Sequence, residues 1–310
     1  MSGSVTALIV SWNVLPLLRS CLRALQPELA PGDELLVVDN NSDDGTAEAI
    51  RREFPSVRLL QTGANLGFSG GVNAGLKRGA GDYALVLNPD TEARPGAVAA
   101  MRRLLDADAV VGVVAPRLVY PDGRPQPSRR RFPRLDTLFV ESTPLQALPA
   151  AAPILRRFYC ADSSDKHVQQ VDWAVGACLM LRMAALEEVG AFDGSFFMYS
   201  EEVDLCLRAA KLGWQVVYEP AAMVVHHEAK SSDQVPASRL LHFHQSRVSY
   251  AAKHFGLGAA MCLRAYLLSG LMWQMGLEAV KLLLGHKREL RRGRIRAYRT
   301  VLRRGLAVHI

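Results

Sequence analysis

The sequence has few cysteines and no cysteine pattern. Cys21, Cys160, Cys178, Cys206 and Cys262 are odd in number, scattered, and without CxxC or histidine-paired spacing. That excludes a disulfide-stapled domain and a structural zinc site, and it predicts small buried thiols in a reducing compartment. Long charge-free apolar runs are also missing. The longest within residues 257–285, Ala265 to Leu277, has thirteen residues; at about 1.5 Å per residue it cannot cross a hydrocarbon core of roughly 30 Å. Met1 to Ser4 carries no basic n-region or apolar h-region, so no secretion signal is expected. The glycine-rich stretch Asn65-Leu-Gly-Phe-Ser-Gly-Gly71 is neither a GxGxxG fingerprint nor a P-loop with its lysine, which counts against a dinucleotide or NTPase site.

What is present is a globular composition, 49% hydrophobic and 22% charged over 310 residues, enough for a large core. The net charge of +7 is unevenly placed. Residues 281–310 hold ten Lys or Arg against Glu289 alone, whereas residues 1–280 carry 27 basic and 29 acidic groups. The basicity therefore belongs to a tail, which points to an anionic polymer or a membrane surface. Only Tyr298 lies among the tail's arginines, so there is no aromatic platform for nucleic acid, and an inactive binding module with a nucleic-acid-binding tail is the weaker reading. The expected organisation is a catalytic domain over 1–236 and a helical basic region over 237–310. That region is expected to lie on the inner face of the cytoplasmic membrane without spanning it, with a soluble appendage or subunit contact as the alternative.

From Val5 to Val114, β-rich runs alternate with helical patterns. The strands are Val5–Val10, Glu34–Val38, Val57–Gln61 and Tyr83–Leu87. The helices run over Leu15–Leu25, with leucines at 15, 18, 22 and 25, through Arg52, and near Val72–Arg78. Successive strand-then-helix units predict an α/β fold with a doubly wound, mostly parallel sheet whose post-strand loops gather along one edge. Pro121–Pro133 reads as a loop leaving the sheet, and Leu145–Gln170 as a weakly patterned excursion. Val171–Leu181 resumes strand character, and Met183–Val189 is a short helix. A further helix opens with Ser200 as its cap and Glu201, Glu202 and Asp204 in its first turn; Gln215–Tyr218 and Met223–His226 look like two last strands.

Along the predicted edge stand Ser11-Trp12-Asn13, Asp39, Asn65, Gly67 and Asn73, and Asn88-Pro89-Asp90. Taken alone, Asn88-Pro-Asp90 is ordinary turn chemistry; at a strand's carboxyl end it is also a place for a cation and a phosphate. Asp39 suits a ribose or base, or the cap of the helix near Thr46, for which Asp44 stands closer. Glu201, Glu202 and Asp204 are explained cheaply by the helix dipole; a catalytic reading needs one proton-accepting carboxylate, and Glu202 is the choice, with Asp204 orienting it. His226 ends a strand, where imidazole can complete an Asp metal site.

The ordered set Val-Ser-Trp-Asn13, Val-Val-Asp39-Asn-Asn-Ser, Asn65-Leu-Gly-Phe, Leu-Asn-Pro-Asp90, Asp-Trp173-Ala-Val-Gly-Ala177, Gly190-Ala-Phe-Asp193, Phe-Phe-Met-Tyr-Ser-Glu-Glu202-Val-Asp-Leu and His226-His227 resembles the family 2 glycosyltransferases, nearest the bacterial rhamnosyltransferase-like branch, over residues 5–250. The resemblance implies a GT-A fold and an inverting single displacement from a nucleotide sugar, assisted by Mg2+ or Mn2+. It implies Asp39 against the nucleoside, Asn88 and Asp90 in place of a DxD motif, His226 as a later metal ligand, Glu202 as general base beside Glu201, and Trp173 with Gly176 near the acceptor. L-rhamnose from a dTDP donor and a lipid-linked saccharide acceptor of the cell envelope rest on the resemblance too; the alternative is a galactofuranosyl, glucosyl or other hexosyl transferase using a UDP-sugar. Two positions depart from the family pattern: Asn88 removes one charge from the motif, and Glu202 reaches one methylene further than the usual Asp.

Overall fold

Alternation of apolar residues explains the layers. In β1 (Val5–Ser11) Val5, Ala7 and Ile9 belong to one core cluster and Leu8 and Val10 to another, so the strand is covered on both faces. The computed structural model describes residues 2–227, 236–285 and 287–308. β2 (Glu34–Asp39), β3 (Arg58–Gln61) and β4 (Tyr83–Leu87) run parallel with β1 in the order β3-β2-β1-β4. The register pairs Ser11 with Asp39 and Asp39 with Gln61, which brings the carboxyl ends of these strands to one edge.

The connecting helices form where the periodicity predicts them. α1 (Leu15–Leu25) buries Leu15, Leu18, Leu22 and Leu25, and α2 (Thr46–Glu53) starts at a turn in which Asp44 accepts from the Thr46 N–H at 3.2 Å. α3 (Gly67–Leu76) begins earlier than the predicted helix and takes in the glycine-rich stretch. Its glycines serve packing: a Cβ on Gly71 would meet Val10 Cγ1 at 2.7 Å, and one on Gly75 would meet Leu8 Cδ1 at 2.2 Å. The absence of side chains at these two positions lets the helix lie against β1.

Beyond β4 the sheet becomes mixed. β5 (Thr91–Ala93) and α4 (Ala97–Ala107) lead to β6 (Val111–Val119), and β10 (Cys178–Arg182) runs antiparallel between β4 and β6. The expected strand Val171–Leu181 is divided into the end of β8 (Gln169–Val171), β9 (Trp173–Ala174) and β10 by the turn containing Gly176. β9 pairs with β7 (Arg129–Arg130) in a small second sheet. α7 (Met183–Val189) and α8 (Glu201–Lys211) follow. Ser200, expected as an extended N-cap, instead has φ +66 beside Tyr199 at φ +71. The two predicted last strands are one, β11 (Gln215–His226), parallel to β6 and antiparallel to β5 and β8, with an irregularity between Glu219 and Met223. Pro220, which has no N–H for a ladder, lies inside that irregularity.

The chain divides into two compact units: residues 1–132, 159–194 and 201–231 form the sheet unit, and 133–158, 195–200 and 232–310 form the other. The second is helical: α5 (Leu135–Val140), α6 (Ala152–Phe158), α9 (Pro236–Phe255), α10 (Leu257–Leu283) and α11 (Arg288–Arg304). Its interior is organised by charge as well as by apolar contact. Glu278 on α10 is buried and accepts from Arg291 Nη1 at 2.9 and 2.7 Å, and from Arg294 at 3.3 Å. Among the described residues no helix is long and apolar enough to cross a membrane. The cysteines are all free; four are buried, but Cys262 is exposed, contrary to the expectation of buried thiols throughout.

Gly75→Ala should destabilise the protein by about 1–3 kcal/mol, the usual cost of overpacking a filled core. A lower urea midpoint with an unchanged m-value would register it; an unchanged midpoint would mean that Leu8 yields freely.

Candidate active site

The edge formed by β1, β2 and β3 is polar and tightly bonded. Asp39, almost fully buried, accepts from the Ser42 N–H at 3.0 Å. Asp44, and not Asp39, accepts from the Thr46 N–H and hydroxyl at the start of α2. Asn13, at φ +53, donates its N–H to Ser42 Oγ and accepts from the Asp43 N–H at 2.8 Å. Asn65 accepts from the Gly67 N–H and from Asn40 Nδ2, both at 3.0 Å. Asn40 itself is buried and also binds the Gly67 carbonyl, the Leu66 N–H and Thr62 Oγ1, so it ties the β2 loop to the start of α3. Ser11 Oγ is buried at the end of β1 with no hydrogen-bond partner, and Trp12 beside it is partly exposed. The sequence reading overlooked Asn40, although its place directly after Asp39 was the available signal.

Asp90 and His226 lie 136 positions apart and meet because β5 folds onto the end of β11. The ladder pairs Thr91 with His226, and the His227 N–H donates to the Asp90 carbonyl at 2.9 Å. Asp90 Oδ1 then lies 3.6 Å from His226 Nε2, with both residues buried. His226 Nδ1 is 2.9 Å from Gln126 Oε1. An Nδ1–H donated to Gln126 would leave Nε2, on the Asp90 side, as the ring's acceptor. An imidazole held by Gln126 and facing a carboxylate beyond hydrogen-bond distance is a donor set that fits a divalent cation. Among the described residues no third His, Cys, Asp or Glu joins this pair. Gln126 sits in the Pro-rich loop that the sequence offered only as a crossing.

The acidic cluster divides by role. Glu202 packs on Gly176: a Cβ there would come within 3.4 Å of Glu202 Cβ and Cγ, and the Gly176 N–H points to Glu202 Oε1 at 3.4 Å. Burial raises the Glu202 carboxyl above its ordinary value, opposed by backbone N–H groups and by the charge of Arg130. Glu201 is raised well above its ordinary range by burial and then by Glu202 beside it, and its Oε2 has no hydrogen-bond partner. Asp204 is bonded to Arg208 Nε at 2.8 Å, and that guanidinium donates to the carbonyls of Val189, Gly190 and Ala191. Asn73 holds the same loop from α3, bonding both the N–H and the carbonyl of Phe192. Asp204 and Asn73 thus brace the Gly190–Phe192 loop. Trp173 donates its indole N–H to the Arg131 carbonyl at 3.0 Å. Asn88 links two parts of the site through its backbone: its N–H bonds the Ala177 carbonyl at 2.9 Å, beside Gly176 and hence Glu202.

This is the arrangement of an α/β sugar-nucleotide transferase: a polar edge after parallel strands, an Asp–His pair, and a buried carboxylate. The model of glycosyl transferase family 2 matches residues 6–204, and that of glycosyl transferase family group 2 matches 151–276. An N-acetylglucosaminyl-diphospho-decaprenol L-rhamnosyltransferase of Mycobacterium tuberculosis is 34% identical over 273 residues, 83% of this chain and 87% of that protein. A low-salt glycan biosynthesis hexosyltransferase of Haloferax volcanii is 28% identical over 57% of this chain and 53% of its own. Among solved structures, a mannosyltransferase of Pyrobaculum calidifontis in complex with GDP-Man and Mn2+ superposes with a TM-score of 0.55 at 16% identity, over 97% of this chain and 86% of that one. GalNAc-T7 with UDP, GalNAc and Mn2+ gives 0.57 at 13% identity, over 72% of this chain and 43% of its own. The protein is a glycosyltransferase of GT-A fold, and the chain belongs to glycosyl transferase family 2.

The buried acids generate a pH test. A carboxyl raised in the folded state keeps its proton where the unfolded chain, with the ordinary value of 4.5, has lost it. Stability is therefore greatest below about 4.5 and falls as pH rises toward the raised value. Glu201→Gln, which mimics the protonated acid, should melt higher than wild type at neutral pH, with the difference vanishing near pH 4. Equal melting temperatures from pH 4 to 8 would show that Glu201 is not raised.

Proposed function

We propose that this enzyme transfers a hexosyl group by inverting single displacement, with L-rhamnose from a dTDP donor as the first choice, to a hydroxyl of a lipid-linked saccharide. The relative's name supports the sugar and the lipid-linked acceptor. The observation that carries the mechanism is Glu202, a buried carboxylate packed on Gly176 and joined through Ala177 and Asn88 to the Asp90 end of the sheet. One base and no covalent nucleophile beside it suit direct attack. Glu202 accepts the proton of the acceptor hydroxyl as that oxygen attacks the anomeric carbon, and its raised affinity for protons makes it a stronger base than an exposed glutamate. The nucleoside diphosphate leaves on the opposite face. Asp39 and Asn13 suit the nucleoside, and Asp90 with His226 would hold the cation, Mg2+ or Mn2+. When bound, such a cation offsets charge on the departing diphosphate. Two protein ligands leave the other positions to substrate oxygens and water, as hard cations commonly accept. The Mn2+ in the two structural neighbours supports this reading.

The helical unit fits a peripheral membrane role on the cytoplasmic side. α10 leaves Met272, Trp273, Val280 and Leu283 exposed, Leu283 at 85%, and Leu284 just after it is exposed too. α11 supplies eight arginines, of which Arg291 and Arg294 are paired with Glu278. Exposed apolar side chains beside an arginine-rich helix suit insertion at the level of anionic head groups.

Two experiments test these statements. Hydrolysis of a panel of nucleotide sugars with and without EDTA should show dTDP-rhamnose turned over and EDTA stopping it, and Glu202→Gln should lower kcat by about 10²–10⁴-fold. Turnover of a UDP-hexose with none on dTDP-rhamnose, or full activity in Glu202→Gln, would overturn the donor or the base respectively. For the helical unit, the chain should float with anionic but not zwitterionic liposomes, and Trp273→Ser with Leu283→Ser should reduce flotation several-fold. Unchanged flotation in the double variant would remove α10 from membrane contact.

A further inference from the structure

His226 also lines a cavity of about 630 Å3 whose other walls come from β6, the loop leading to β7, residues 159–165 and Tyr218 on β11. Its chemistry is cationic and aromatic. Arg117, Arg129 and Arg130 line it with Tyr120, Tyr159 and Tyr218, against one carboxylate, Asp165. Arg117 lies 3.3 Å from Asp165, and its Nε is buried with no hydrogen-bond partner. Arg129 bonds neutral oxygens, those of Ser163, Ser164 and Gln169, so its charge meets no carboxylate there, and it stacks on Tyr218 at 5.3 Å. Arg130 stacks on Tyr159 at 4.5 Å. Three rigid guanidinium groups around a pocket of ligand size, with one acid among them, form a surplus of positive charge suited to phosphate oxygens.

We propose that this cavity binds a phosphate or diphosphate group carried by the acceptor, immediately beside the sugar that receives the new residue. The inference rests on the transferase reading above and adds to it the binding site and charge of the acceptor. His226, proposed above for the donor's cation, is part of the lining, and two features connect the rest of the cavity with the acceptor. The nucleotide-facing side chains Asn13, Asp39 and Asn65 are not among its lining, which comes from β6 and the segments after it. Val175, next to the Gly176 on which Glu202 packs, also lines it, and the charge of Arg130 reaches Glu202. An anion seated on Arg129 and Arg130 would hold the acceptor sugar at the base. The Ser128-Arg-Arg-Arg131 run, unassigned in the sequence, acquires a role in this way.

The test uses the full-length protein and two acceptors with the same sugar, one a prenyl diphosphate glycoside and one an uncharged alkyl glycoside. Wild type should show a KM for the diphosphate acceptor at least tenfold below that for the neutral one. Arg129→Met and Arg130→Met should erase that preference by raising the diphosphate KM, with the neutral-acceptor KM and the donor KM little moved. Arg103→Met, an exposed position on α4, controls for loss of one positive charge. Equal KM values for the two acceptors in wild type, or an equal rise in donor KM in the variants, would overturn the proposal. Should the variants fail to fold, wild type alone decides: a short prenyl diphosphate must inhibit competitively against the acceptor, and competition against the donor alone overturns the inference. Donor hydrolysis by wild type without acceptor tests the transferase reading separately, so the two ideas can fail independently.

Discussion

The antiparallel return of β5 onto the end of β11 is the contact on which the site depends. It gives Thr91 and His226 one register and carries Asp90 to the imidazole. Removing a carboxylate from water costs several kcal/mol unless something compensates it. The fold accepts that cost at Asp90 because two main-chain ladders, β4 with β1 and β11 with β6, hold the ends of the two segments in place. The irregularity around Pro220 lets β11 continue along β6 past a residue that cannot join the ladder. A strand that stopped at Tyr218 would have left His226 without a place.

A second concentration of unfavourable terms lies at the start of α8. Tyr199 and Ser200 both hold left-handed backbone, a conformation that costs side-chain-bearing residues of order 1–3 kcal/mol each. Directly after them come Glu201, which is buried, and Glu202, which is partly buried with its Oε2 out of solvent. The same burial that destabilises a carboxylate here strengthens its hold on a proton. The surrounding bonds resist relaxation: Asp204 through Arg208, and Asn73 from α3, both fasten the loop over residues 189–192. Asp204, expected as an orienting or structural partner of Glu202, and Asn73 both help to keep this region in place.

Legibility followed the range of the interaction. Strand alternation and the leucines of α1 are local, so β1 to β4 and the helices after them were readable, as was the edge carrying Asn13, Asp39, Asn65 and Asp90. The glycines of α3 were readable as glycines but not as packing residues, because the reason lies in Val10 and Leu8 on β1. Gln126 carried no signal, since it matters only through a bond to a histidine 100 positions away. Asn40 was hidden by its neighbour: an Asn after Asp39 reads as turn chemistry until its four bonds to the α3 side are counted.

The sequence by itself determined the layered α/β class, the polar ends of the first four strands, the acidic start of α8 and the basic C-terminal helix, because each depends on the periodicity or composition of a short segment. Only the tertiary structure decided that β10 would run antiparallel through the sheet, that Asp90 would face His226, that Glu202 would rest on Gly176, and that the arginines after β6 would surround a cavity with Tyr159 and Tyr218. Those depend on pairing between distant strands, where a shift of one residue in register would turn strand side chains such as His226 and Tyr218 to the opposite face.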